Sequence, residues 1–160
     1  MKFKTYSPCQ STENHLLKFN VYLSRKSANI TEIRGNDTFL IPLDNSVCIQ
    51  VNFAVKGVNG GWISNAHVLK FEKGCSMLKS LLGKAWKSFI TTYNMNYECP
   101  IKPGVYVSSG LDISLLYNNN FPKQFFYGEY KITVTFTKSN SSKVLGCFTS
   151  TIDFVRPWED

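Results

Sequence analysis

A chain of 160 residues, 43% apolar and only 18% charged, can bury one substantial core and is too short for two ordinary domains, so residues 1–160 read as a single unit. An aromatic content of 14% excludes a disordered chain, and no bias toward Ala, Glu, Lys, Leu and Arg suggests a coiled coil. Eighteen Lys and Arg against eleven Asp and Glu give a net charge of +7, which favours acidic partners: nucleic acid, anionic lipid, or sulfated and sialylated sugars.

Residues 1–15 lack the apolar stretch of a signal peptide. With five cysteines in the chain, the expectation is a mature form whose leader has been removed. Leu17, Phe19, Val21 and Leu23 then alternate with Lys18, Asn20 and Tyr22, the period of a half-buried strand. Arg34, Gly35, Asn36 and Asp37 read as a turn, with a strand over residues 37–42 and a second turn at Asp44 and Asn45. Val47, Ile49, Val51, Phe53 and Val55 repeat the alternation, and Asn59, Gly60 and Gly61 lead into a strand over residues 61–69. Beyond a turn at Lys102, Pro103 and Gly104, strands are predicted over residues 104–108 and 111–117. Tyr130, Ile132, Val134 and Phe136 alternate with Lys131, Thr133, Thr135 and Thr137 in the clearest strand of the chain. A turn between Ser139 and Ser142 precedes the last strand, over residues 144–155. Seven or more short strands with regular turns predict an all-β sandwich or barrel. Nowhere do about 18 apolar residues run together, and there is no internal repeat.

Residues 74–90 break the pattern with a helical period. At 100° per residue Met77, Leu78, Leu81, Leu82, Ala85, Trp86 and Phe89 share one side, and Lys79, Lys84 and Lys87 the other. One reading is a helix that caps the open end of a sandwich, apolar side inward. Another is an element that touches lipid, its apolar side chains inserted and its lysines against anionic headgroups. The two are compatible.

Cys9, Cys48, Cys75, Cys99 and Cys147 contain no C-x-x-C pair, which speaks against a metal site. Their wide spacing suits disulfides and a secreted or lumenal setting, and the odd count leaves at least one thiol free or paired with another chain. Asn29, Asn36 and Asn140 head N-glycosylation sequons. Three is about what chance supplies for a chain with 14 asparagines, so they permit secretion without arguing for it.

Signs of catalysis are thin. Only His15 and His67 are present, and no HExxH, GxSxG, Walker or dinucleotide motif occurs. Cys48 and His67 form a conceivable nucleophile pair, but Cys48 falls within a regular strand and reads as a small packed residue. His15, beside Asn14, reads as a solvated loop residue. The eleven carboxylates are scattered singly. The chain therefore reads as a non-enzyme that needs no cofactor. Nucleic-acid binding is disfavoured as well: the lysines are dispersed and there are three arginines, Arg25, Arg34 and Arg156.

From Trp62 onward the chain carries Gly61-Trp62-Ile63, then Gly74-Cys75-Ser76-Met77-Leu78-Lys79-Ser80-Leu81-Leu82. The most specific piece is Cys99-Pro100-Ile101-Lys102-Pro103-Gly104-Val105-Tyr106. Phe121-Pro122-Lys123, Gly128-Glu129-Tyr130-Lys131-Ile132 and Lys143-Val144-Leu145-Gly146-Cys147 follow in order. In these pieces, spread over about 100 residues, the chain resembles the lysosomal ganglioside activator and its ML-type, lipid-recognition relatives, including the insect chemosensory proteins of the B type.

The resemblance implies an immunoglobulin-like two-sheet antiparallel β-sandwich, a β-cup with an apolar cavity and one short amphipathic helix at its rim. It implies a lipid-binding or transfer protein, secreted or in the lysosomal lumen, that holds acyl or other apolar chains and extracts lipid from membranes. A chemosensory or signalling module presenting a small hydrophobic ligand to a receptor is the alternative. A receptor or a lipid hydrolase is the implied protein partner, with peripheral contact at membrane surfaces. By matching motifs, Cys9 would pair with Cys147 and Cys75 with Cys99, leaving Cys48 as the free thiol. Cavity candidates are Val51, Phe53, Trp62, Ile132, Val134 and Phe136. Met77, Leu78, Leu81, Leu82, Trp86 and Phe89 would form the mouth, with Phe121, Phe125 and Phe126 on a facing loop, and Lys79, Lys84 and Lys87 would meet anionic lipid.

Overall fold

The computed structural model describes residues 2–10, 14–120, 127–156 and 158. In chain order these form β1 (Lys2–Pro8), β2 (Leu17–Arg25), β3 (Thr31–Phe39), β4 (Val47–Lys56) and β5 (Trp62–Phe71). Two helices, α1 (Gly74–Leu82) and α2 (Lys84–Tyr93), precede β6 (Gly104–Val107) and the two-residue β7 (Leu111–Asp112). A short 3-10 helix (Ile113–Tyr117) leads to the long hairpin of β8 (Gly128–Lys138) and β9 (Val144–Phe154). The strands make two antiparallel sheets: five strands in the order β1-β9-β8-β4-β5, and β2-β3-β6 with β7 also paired to β3. This is the all-β two-sheet sandwich that the alternation predicts.

Local chemistry explains why the alternating segments pair as they do. Each places β-branched or aromatic residues on one face, and cross-strand pairing brings like faces together. The β4–β8 register sets Ile49 opposite Phe136, Val51 opposite Val134 and Phe53 opposite Ile132. On the other sheet β2 and β3 set Leu17 opposite Phe39 and Leu23 opposite Ile33. The faces so formed enclose the core, where Leu17, Phe19, Phe39, Phe53 and Phe136 are buried and rings pack in stacked and edge-on pairs such as Phe19–Phe136 and Phe19–Phe39.

Three expectations need correction, and one strand is unanticipated. First, the turn assigned to Arg34, Gly35, Asn36 and Asp37 lies inside β3, which spans Thr31–Phe39 rather than residues 37–42. Gly35 holds φ +103° opposite Val21, and a Cβ there would fall 2.0 Å from the Asn20 carbonyl oxygen. The glycine that signals a turn is thus the device that lets the strand pass close to its neighbour. The reversal itself comes earlier, where the Lys26 N–H donates to Ile30 O at 2.9 Å and Arg25 donates to the carbonyls of Ser27 and Ala28.

Second, residues 111–117 are not one strand. After β7 the Asp112 carboxylate accepts from Ser114 N–H and starts the 3-10 helix. Third, the single helix over residues 74–90 is two, broken at Gly83 with φ 55° and ψ −121°. Asn120 pins the break: its N–H donates to Leu81 O at 2.7 Å and its side chain to Ser80 O at 3.1 Å. The unanticipated strand is β1, which has no clear apolar period; its strand form comes from pairing with the β9 edge.

Candidate functional site

The inner face of the five-stranded sheet is where five of the six cavity candidates meet. Val51 and Phe53 come from β4, and Ile132, Val134 and Phe136 from the neighbouring β8. Val51, Phe53 and Phe136 are fully packed. Ile132 and Val134 are different: on a central strand, between buried Tyr130 and buried Phe136, both keep part of their surface accessible. Phe148 of β9, opposite Val134, and Leu69 of β5, opposite Val51, are likewise half-buried on the same face. Trp62, the sixth candidate, sits elsewhere. It pairs with Lys56 across β4 and β5, carries the Lys56 ammonium 5.7 Å above its ring, and is 37% exposed on the outer face. A bulge between Phe53 and Val55 shifts the register ahead of it.

The helices close one side of the interior. α1 packs on β4, and α2 lies against β7 and the 3-10 helix, so the pair bridges from one sheet to the other. Leu81, Ala85, Trp86 and Ile90 are buried, which selects the inward-facing reading for that side. Trp86 is 1% exposed and its indole N–H donates to Tyr97 O at 2.9 Å. It is a core residue of the helical cover and offers no surface to a membrane. Met77, Leu78, Leu82 and Phe89 are half-buried around it. Phe121, Phe125 and Phe126 lie outside the described residues.

Of the three helical lysines, Lys84 and Lys87 are exposed. Lys79 is already engaged: its ammonium is 3.0 Å from the Glu98 carboxylate and 4.3 Å above the Tyr97 ring. It borders a polar surface recess of about 380 Å³ with Ser76, Ser80, Gly83 and Asn120.

Cys9 and Cys147 are joined, tying the chain beyond β1 to β9, and Cys75 of α1 is joined to Cys99. Cys48 is free and half-buried in β4, its Sγ 3.5 Å from Ser139 Oγ. Asn29 and Asn140 are exposed at turns. Asn36 is half-buried in β3, where its Oδ1 accepts from Asn20 and Thr38. His15, expected in solvent, is half-buried, with its Nδ1 buried and without a hydrogen-bond partner among the described residues.

Sequence reasoning missed a polar group inside this apolar interior. Asp37 of β3 pairs with Phe19 and is 2% exposed, on the same face as Ile33 and Phe39. Among the described residues its Oδ1 has no hydrogen-bond partner and no ion pair reaches it. Burial pushes its pKa up to about 8. Tyr6 of β1, on the other sheet, and Tyr93 of α2 lie within electrostatic reach of it. Both phenols are pushed well up, first by burial, with the Asp37 charge adding to the rise. For Tyr93 a hydrogen bond with Ser108 pulls the other way. Tyr6 is half-buried. A readable signal did exist: extending the alternation of Phe39 back through β3 puts position 37 on the inner face.

The geometry therefore defines an immunoglobulin-like β-sandwich with an apolar inner face on which Ile132 and Val134 stay partly accessible, closed on one side by two short helices. Comparison with family models matches the ML domain over residues 5–154, and the chain belongs to this lipid-recognition family. Comparison with curated proteins gives no match. None of the described helices is long and apolar enough to cross a membrane, and no group of metal-binding side chains occurs among the described residues.

Proposed function

We propose that this chain is a secreted or lumenal carrier that holds an acyl or similar apolar chain between its two sheets. The observation that carries the reading is the pair Ile132 and Val134. Inward-facing apolar residues of a central strand are normally closed off by the opposite layer. Here they keep accessible surface while Tyr130 and Phe136 on either side are sealed. Membership of a lipid-recognition family points the same way. Two disulfides support an oxidising compartment. Half-buried Met77, Leu78, Leu82 and Phe89 on the helical cover supply an apolar approach to the interior. Exposed Lys84 and Lys87 nearby favour contact with anionic headgroups during loading.

The test is an organic extract of the purified, denatured protein analysed by mass spectrometry. Near-stoichiometric lipid, replaced by an added fluorescent fatty acid, is expected. A clean extract together with no probe binding would overturn the reading. Transfer of the bound lipid to anionic but not neutral vesicles would support loading at a membrane.

A further inference from the structure

We propose that Asp37, a buried carboxyl on the inner face of β3, is an anchor inside the sandwich for the hydroxyl end of a long-chain alcohol. This deepens the carrier reading and rests on it.

The argument starts from the placement of Asp37. A carboxyl on the inner face of β3, among Phe19, Ile33 and Phe39, is an expensive occupant of a position that a Val or Leu would fill. Buried polar groups ordinarily find partners, yet Asp37 Oδ1 has none. The groups around it come from four other elements. Phe19 of β2 is apolar, and the Tyr106 hydroxyl of β6 is taken up by the Lys102 carbonyl. Tyr6 of β1 and Tyr93 of α2 bring hydroxyls within electrostatic reach. What the interior lacks is a donor for Asp37 Oδ1.

Chemistry then selects among ligand ends. A carboxylate would add a negative charge beside three groups whose own ionisation burial already resists, with no cation among the described residues to balance it. An ammonium would require Asp37 to ionise and both ions to shed water in an apolar interior. An alcohol avoids both penalties. Its O–H donates to Asp37 Oδ1 and its oxygen accepts from a protonated carboxyl or a tyrosine hydroxyl. Burial keeps Asp37 protonated at neutral pH, so the match is neutral on both sides.

The experiment uses the delipidated full chain and displacement of the fluorescent probe N-phenylnaphthylamine by dodecyl alcohol and by dodecyl methyl ether, which lacks the donor. The wild type should prefer the alcohol by about tenfold, the scale of one hydrogen bond that leaves no group unmatched. Asp37→Leu should abolish the preference and keep ether affinity, while Asp37→Asn, which retains an acceptor, should keep it. Equal affinities in the wild type, or a preference that survives Asp37→Leu, overturn the anchor. So does tighter binding of dodecanoate or dodecylamine than of the alcohol. The wild-type ratio decides the matter even if a variant fails to fold. Failure of the wild type to bind the probe or any of these compounds refutes the carrier reading itself, and the anchor with it.

Discussion

Asp37 makes a sharp stability prediction, independent of any ligand. In the unfolded chain its carboxyl titrates at the ordinary value of 3.8, and in the fold it is pushed to about 8. Between those values the folded state keeps a proton that the unfolded state releases, so stability falls as pH rises from about 4 and levels off above about 8. At 1.36 kcal/mol per unit, the loss between pH 5 and pH 8 is on the order of 4 kcal/mol, a ceiling that local relaxation lowers. For a chain of this size each kcal/mol moves Tm by about 2–4 °C. Asp37→Asn is nearly isosteric and cannot ionise. Its amide hydrogens need partners, so it should be equal to or slightly less stable than the wild type at pH 5. At pH 8 it should be the more stable of the two by several degrees. Urea or thermal unfolding of both proteins at the two pH values measures the double difference, which cancels every other titrating group. A wild-type-minus-variant difference that is the same at pH 5 and pH 8 would refute the claim that Asp37 is buried without a counter-charge.

Trp86→Ala should destabilise the fold by about 3–5 kcal/mol, because it empties a fully buried site and strands the Tyr97 carbonyl, while leaving liposome binding unchanged; denaturant unfolding and vesicle co-sedimentation read the two effects separately. Replacing Cys75 and Cys99 by serine should lower stability by about 3 kcal/mol, from the entropy of a loop whose ends are 24 residues apart, and a mass shift on alkylation without reduction should locate a single reactive thiol at Cys48. Lys79→Ala should change stability by less than about 1 kcal/mol, since Glu98 is largely exposed, and denaturant midpoints will show it.

Period-two alternation is a local property, and it placed β2, β4, β8 and β9 and the inward set Val51, Phe53, Ile132, Val134 and Phe136 without help from the fold. Spacing of Cys75, Cys99 and Cys147 within ordered motifs carried the family resemblance, and with it the disulfide pairing. Amphipathic period likewise found the helical segment and the inward face that holds Leu81, Ala85 and Trp86.

Only the tertiary structure decided how those faces are used. A glycine followed by Asn36 and Asp37 looks like a turn until β2 is seen passing within contact of Gly35, and that misreading hid the buried carboxyl. The break at Gly83 depends on Asn120, which is 37 positions away in sequence but hydrogen-bonded to Ser80 and Leu81 in space. Trp86 and Trp62 have similar composition-level weight, yet one is sealed beneath the Tyr97 segment and the other lies on an outer face under Lys56. β1 owes its strand to an edge of β9 that lies at the far end of the chain. Alternation tells which side chains share a face, because that follows from backbone geometry alone. Whether the face is covered, open, or interrupted by a polar group depends on what distant segments bring against it, and that is settled only when the chain closes on itself.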